Sequence, residues 1–346
     1  MTVTLKDLAK ASGVSVGTVS RALNDKKEVS SATSDKIKHL AQTLGYVPNR
    51  AGRALSAQKN LSLIGILLPS INSPFFDDIK RGINAAYQEF KDLGLDIALI
   101  EKEGWDESEH LQAINELKAR GCRALALCTV NSPVIAAKIN ELTDQGMPVV
   151  LINNDIPHTR RLCFVGPDYF NSGQIAAGML DKCAQGRELK ILIVMGLKIH
   201  EGHKLRVDGF IHELDTRKVN YQVVKIIEGM DNDITTQQAA MQAFAAFPDI
   251  NCVYMASGSG VSGLGAAIIA NRDKQRFVIA CDEIYTTREL VKSGIIDFVI
   301  CQDPATQGYQ AIKKLHECLV RQPLPTSGIP DYIVESQIKI KNHFVR

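Results

Sequence analysis

Residues 5–24, LKDLAKASGVSVGTVSRALN, carry two short apolar stripes on either side of a glycine, and this stretch decides how the chain is organised. Leu5, Leu8 and Ala9 fall at i, i+3 and i+4, and Val19, Ala22 and Leu23 repeat that spacing, so the pattern predicts two short helices with one narrow apolar face each. Gly13 permits a tight bend between them, and Ser15 offers a side-chain oxygen as N-cap of the second helix. Val16, Gly17, Thr18, Ser20 and Arg21 point away from the apolar face, as they must if the first turn of that helix is to enter a DNA major groove. An ordinary helical hairpin at a domain edge would carry the same stripes.

Charge bears on that choice. Residues 1–60 hold ten Lys or Arg against four Asp or Glu, a net of +6, whereas the rest of the chain holds thirty against thirty-four, a net of −4. A basic excess alone is usually a solvated face; beside a helix-turn-helix pattern it is what phosphate neutralisation requires. A third helix is signalled by Ser30 or Ser31 as cap, by Ile37, Leu40, Ala41 and Leu44 on one face, and by Gly45 and Pro48 at its end. After it, NRAGRALSAQK (49–59) has helical spacing at Ala51, Ala54 and Leu55 but holds Gly52, so it reads either as a marginal helix or as a linker.

From residue 61 the texture changes to short apolar runs alternating with helical segments. The runs are LIGILL (63–68), DIALI (96–100), ALALC (124–128), VVLIN (149–153), ILIVM (191–195), VVKII (223–227), CVYMA (252–256), FVIAC (277–281) and FVIC (298–301). This alternation predicts an α/β architecture of parallel sheets covered by helices, divided between two lobes. Ligands of such sheets bind beyond the carboxyl ends of the strands, so the residues just after each run are those to read for chemistry.

At 346 residues, 45% hydrophobic and 23% charged, the composition is that of an ordinary globular protein. The opening MTVTLKDLAK lacks a long apolar core and no run approaches eighteen apolar residues, so a cytoplasmic protein without a membrane span is expected. The eight cysteines form no CxxC pair and several lie inside apolar runs; they read as buried, reduced thiols, and no metal site is expected.

One motif points toward an enzyme. Gly258, Gly260 and Gly263 follow CVYMA in GxGxxG spacing, and the next apolar run leads to Asp282, imitating a dinucleotide-binding fingerprint of an NAD-dependent oxidoreductase. A tight strand-to-helix turn explains the glycines equally well, and no His, Lys or Tyr nominates itself as hydride-transfer partner. HEGH at 200–203 has its two histidines three apart and is not the HExxH zinc signature. Other strand-end residues converge on a polar small molecule: Ser73, Phe75 and Phe76 after the first run, Asn153 after the fourth, Arg206 at the opening of a helix, and Asp282 and Gln302 after the last two. Aromatic faces stack on the apolar face of a sugar ring, while Arg, Asp, Asn and Gln hydrogen-bond its hydroxyls. Singly each has a structural explanation; together they favour a ligand cleft. Trp105, the sole tryptophan, also follows a strand end and reads first as a surface residue.

Taken over its full length, the chain resembles the LacI/GalR family of bacterial transcription regulators, whose effector domain is similar to ribose-type periplasmic sugar-binding proteins. The motifs that carry the resemblance are LKDLAKASGVSVGTVSRALN, VSSATSDKIKHLAQTLGYVPN, NRAGRAL, SPFF, RVDGF at 206–210, and CDE and QDP near the end. It implies a helix-turn-helix domain over 1–47, a hinge helix over 48–60, and an effector-binding and dimerisation domain over 61–346. The lobes of that domain are expected at about 61–161 with 303–328, and about 162–302 with 329–346.

The resemblance further implies a homodimer or tetramer on a palindromic operator, with Val16, Gly17 and Arg21 at base-reading positions. Thr4, Ser20, Asn24 and Asn49 are implied on phosphates, with Leu5, Ser15, Thr18 and Arg50 also at the DNA interface and Leu55 wedged into a minor-groove step. For the effector, a sugar or sugar derivative, it implies Ser73, Phe75, Phe76, Asn153, Arg206, Ser259, Asp282 and Gln302. No catalytic residue and no cofactor is implied. Two positions depart from the pattern: Ser259-Gly260 stands where ribose-type proteins carry Asn-Asp, and Pro133 where they place an acidic contact. The expectation is an effector held by fewer hydrogen bonds at one end. A sugar-binding protein without DNA function remains an alternative.

Overall fold

The computed structural model describes residues 3–23, 29–46, 62–198, 200–272, 274–320 and 327–345. Asn24, Asn49, Arg50, Leu55 and the whole 48–60 hinge expectation lie outside these residues. The chain divides into an N-terminal unit and a larger second unit that begins at Ser62.

In the N-terminal unit three helices, α1 (Leu5–Ser12), α2 (Val16–Leu23) and α3 (Ser31–Thr43), enclose a small core. The expected apolar stripes form it: Leu8, Ala9, Val19, Ala22, Ile37 and Ala41 are buried against one another. Thr4 caps α1 in a reciprocal box with Asp7, and Gly13 ends that helix in the left-handed region at φ 72°. The α2 cap is the expected one, with the Thr18 amide donating to Ser15 Oγ at 3.1 Å.

The second unit holds two six-stranded sheets, each with helices on both faces. The first contains β1 (Ser62–Leu68), β2 (Leu95–Glu101), β3 (Ala124–Leu127), β4 (Val149–Ile152), β5 (Cys163–Pro167) and β11 (Tyr332–Val334), in the order β11-β5-β4-β3-β1-β2. The second contains β6 (Leu189–Met195), β7 (Tyr221–Glu228), β8 (Cys252–Met255), β9 (Phe277–Cys281), β10 (Phe298–Cys301) and β12 (Gln337–Lys339), in the order β12-β10-β9-β8-β6-β7. The two orders superimpose strand for strand. All described pairings are parallel except β10 with β12, which is antiparallel at one edge.

All nine apolar runs are strands. Three further strands had no apolar run to announce them, and two of these shift the expected lobe limits. Cys163–Pro167 and Tyr332–Val334, expected in the second lobe, pair with each other and with β4 in the first sheet. The chain therefore crosses between lobes at Asp168, at Gln302-Asp303 and at Glu335-Ser336.

Around the first sheet pack α4 (Phe75–Phe90), α5 (Glu107–Ala119), α6 (Pro133–Asp144) and α12 (Pro304–Val320); around the second pack α7 (Tyr169–Ala184), α8 (Glu201–Thr216), α9 (Asp233–Ala246), α10 (Val261–Ala270) and α11 (Tyr285–Lys292). Helices α7 and α8 touch backbone to backbone. A Cβ on Gly173 would lie 2.1 Å from the Arg206 carbonyl oxygen, and one on Gly209 would lie 2.0 Å from that of Phe170, so only glycine lets the two axes come this close. That contact fixes the position of the helix bearing Arg206.

Seven of the cysteines are buried as expected, but Cys183 is exposed, because it falls on the outer face of α7.

Candidate functional site

The surface of α2 begins with exposed Ser15, Val16 and Gly17 and ends with exposed Arg21; Thr18 and Ser20 are half-buried. Val16 is 40% exposed. Thr4 is exposed at the start of α1, whereas Leu5 is half-buried and packs on the three-helix core. The exposed candidates thus comprise the start of α2, Arg21 in its last turn, and Thr4 at the start of α1.

A cleft of about 680 Å³ opens between the carboxyl ends of the strands of the two lobes. Ser73, Phe75, Phe76, Asn153, Arg206, Ser259, Asp282 and Gln302 all lie on its wall. All but Arg206 are there for a topological reason: strand ends of a parallel sheet face one way, and in this unit both sheets turn those ends toward the same space.

The floor is a chain of hydrogen bonds that crosses from lobe to lobe. Asn153 Nδ2 donates to Gln302 Oε1 at 3.0 Å and to Gln307 Oε1 at 3.1 Å, and Gln302 Nε2 donates to Asp282 Oδ1 at 2.8 Å. Arg206 grips the same carboxylate with both terminal nitrogens, Nη2 to Oδ1 at 2.8 Å and Nη1 to Oδ2 at 3.1 Å, and also donates to the Ala256 carbonyl at 3.1 Å. Arg206 is 2% exposed and Asp282 6%, so this is a buried bidentate pair. Burial works against the cation, but the Asp282 carboxylate beside it holds the guanidinium well above its ordinary pKa. Arg206 is not at the opening of its helix, as the sequence suggested, but is its sixth residue, reaching inward over the Tyr169 ring at 5.0 Å.

Asn153 and Asp282 both have left-handed backbone, at φ 63° and 68°. Their amides donate to the Val165 and Ile300 carbonyls, each at 2.9 Å, so the two residues end β4 and β9 in the same way. The strain is small for Asn and Asp and turns each side chain off the strand line into the cleft.

Sequence reasoning missed several wall residues. Trp105 is half-buried on the cleft, its ring edge-on to His200 with centroids 4.8 Å apart, because the chain folds back after β2. His200 in turn stacks on His203 at 4.3 Å. Burial first, then the nearby Arg206 charge, lowers the His200 pKa to about 4, and burial with the His200 neighbour takes His203 well below its usual value. Both rings are therefore neutral at pH 7. Asp231 and Ser257 also line the cleft, with Ser257 Oγ donating to Asp231 Oδ1 at 3.0 Å. Only the HEGH spacing, which is no zinc signature, hints at the histidines. Pro133, by contrast, starts α6 and is not on the wall.

The GxGxxG glycines are accounted for by packing. A Cβ on Gly263 would meet the Asp233 carbonyl at 1.8 Å where α10 crosses α9, Gly260 starts α10 at φ 80°, and Gly258 lies against the Asp282 side chain. The acidic residue a dinucleotide ribose would need is Asp282, which is already spanned by Arg206.

Residues 4–49 match the lacI family of bacterial regulatory proteins, and residues 64–322 match the periplasmic binding protein domain. The ribose operon repressor of Bacillus subtilis is 26% identical over 333 residues, covering 94% of each chain. The transcriptional regulator GalS of Salmonella typhimurium is 28% identical over 218 residues, 63% of this chain and 61% of that one. Among solved structures, the glucose-galactose binding protein GanP of Geobacillus stearothermophilus shares the fold with a TM-score of 0.74 at 23% identity, over 82% of this chain and 98% of its own.

Proposed function

Because the chain belongs to the lacI family of bacterial regulatory proteins and carries a periplasmic binding protein domain, we propose that it is a cytoplasmic repressor of carbohydrate-use genes controlled by a sugar bound in the cleft. The observation that carries this reading is the presence, on one chain, of a capped helix start exposing Val16, Gly17 and Arg21 and of a cleft floored by buried, mutually bonded polar side chains. The regulators similar to it over most of its length include one named for a ribose operon.

In this reading two copies of the chain present their α2 helices to the half-sites of a palindromic operator. Arg21 hydrogen-bonds a guanine edge, Val16 meets a thymine methyl, and Gly17 lets the helix approach closely. The sugar stacks on the partly exposed Phe75, which the core residue Phe76 backs edge to face at 5.4 Å, and exchanges hydrogen bonds with Asn153, Ser259 and the Arg206-Asp282 pair. Because the floor bonds run between lobes, occupancy changes how the lobes are held, and through that the affinity for DNA. In this reading the chain binds rather than catalyses, and the glycine motif serves as a packing device.

The test is operator selection followed by binding at graded salt. Tight binding to one palindromic sequence, falling steeply with salt and altered by a sugar, is the expected result. Affinity no greater than for random duplex would refute it, and saturable NAD binding would favour the oxidoreductase instead.

A further inference from the structure

Beside Ser259, where the sequence suggested a loss of hydrogen bonds, the fold supplies a carboxylate. Asp231 follows β7, where it and Met230 both have left-handed backbone, at φ 52° and 55°. Two successive non-glycine residues in that region turn the chain sharply and send the Asp231 side chain over Gly196, where a Cβ would lie 2.0 Å from Asp231 Oδ1. Ser257 donates to that oxygen at 3.0 Å and in turn accepts from the Ser259 amide at 3.0 Å. Among the described residues, no lysine or arginine hydrogen-bonds to it.

The charge on the wall is lopsided. Arg206 is the single Lys or Arg among the described lining residues, and Asp282 neutralises it. Glu103, Asp231 and Asp233 remain. Both histidines on the wall are neutral at pH 7. Among the described residues, Arg206 Nε and His200 Nδ1 beside the cleft have no hydrogen-bond partner, on side chains that are 2% and 7% exposed as residues.

We propose that Asp231 is an acceptor for the hydroxyls of the effector, and that the cleft takes an uncharged polyhydroxylated ring and rejects phosphorylated and carboxylated sugars. The proposal rests on the sugar-effector reading above. A phosphate or carboxylate entering this space would meet the half-buried Asp231, with Glu103 and Asp233 exposed on the same wall, and no unmatched cation among the described lining residues. A neutral ring offers hydroxyl donors to Asp231 and apolar faces to Phe75 and Trp105.

The test uses calorimetric titration of the full chain with five- and six-carbon aldoses and myo-inositol, and with the phosphate esters and uronates of the same aldoses. The expected result is that at least one neutral compound binds and that its phosphate or uronate binds at least tenfold more weakly. Asp231→Asn, which keeps shape and removes charge, is expected to weaken the neutral ligand roughly ten- to hundredfold and to narrow its preference over the anion. The wild-type comparison stands even if that variant folds poorly, and Asp231→Ser provides a second variant. Tighter binding of a phosphate or uronate than of its parent, or an unchanged Asp231→Asn titration, overturns the proposal while leaving the sugar reading in place. Binding of no compound in either arm overturns the sugar reading itself.

Discussion

Trp105 and His200 meet edge to face across the cleft, centroids 4.8 Å apart and planes at 84°, although one follows a strand of the first sheet and the other precedes a helix on the second. His200 also faces Tyr169 at 6.3 Å, so the indole is the outer member of an aromatic group that rests on both lobes. A ligand that enters between the lobes must contact or displace this group.

Saturation with a sugar is therefore expected to change the emission of Trp105, the sole tryptophan, in both intensity and wavelength. Trp105→Phe should abolish the signal and weaken binding several-fold through lost stacking area. An unchanged spectrum under a ligand that calorimetry shows to bind would place the ligand elsewhere.

Asp282→Ala strands the Arg206 guanidinium in a buried site, and a loss of about 3–5 kcal/mol in unfolding free energy is expected. Adding Arg206→Leu should restore part of that loss, because the uncompensated charge goes with it. Urea unfolding of the two single variants and the double variant measures the coupling; strict additivity would contradict the pairing described here.

Gly173→Ala pushes a methyl into the Arg206 carbonyl, so α8 must move or strain. A destabilisation of about 1–3 kcal/mol is expected, together with weaker sugar binding, since α8 carries Arg206. An unshifted melting temperature with normal affinity would show that the helices have slack.

Stability should fall as pH falls from 6.5 toward 4. Burial holds His200 at about 4 and His203, His110 and His316 below their usual value, so in this window the unfolded chain binds protons that the folded chain refuses. Each such histidine contributes a loss of up to about 1.4 kcal/mol per pH unit between its unfolded and folded pKa, and above pH 6.5 the loss disappears. His200→Phe keeps an aromatic ring and removes one titration, so its unfolding free energy should decline less steeply than that of wild type; parallel curves would deny the linkage.

On DNA, Arg21→Ala should relax selectivity at one base pair per half-site by about 1–3 kcal/mol, while Thr4→Ala should weaken all sequences alike. Selection from a randomised palindrome separates the two outcomes. Equal loss of selectivity from both would invalidate the roles given to α1 and α2.

Much of this was legible because hydrophobic patterning is local. The stripes at Leu8-Ala9 and Val19-Ala22 and the nine apolar runs needed no knowledge of the rest of the chain to be read as helices and strands. The strands that escaped are short or mixed. CFVGP ends in Gly and Pro, and Tyr332–Val334 and Gln337–Lys339 lie at sheet edges where side chains are partly exposed, so neither alternation nor an apolar run marks them.

The sequence by itself determined most of the elements, the basic front unit, and many of the polar residues at strand ends, since parallel sheets send those ends one way. Tertiary structure alone decided which of these residues bond to which: that Arg206 closes on Asp282, that Asn153 reaches Gln302, that Trp105 leaves the surface for His200, and that Asp231 enters the cleft. These partners are separated by up to 149 positions in the chain, and Asp231 sits in a turn, MDND, that looks like any polar loop. Their meeting depends on the three crossings between lobes and on the close approach of α7 and α8, which are set by packing summed over the whole domain.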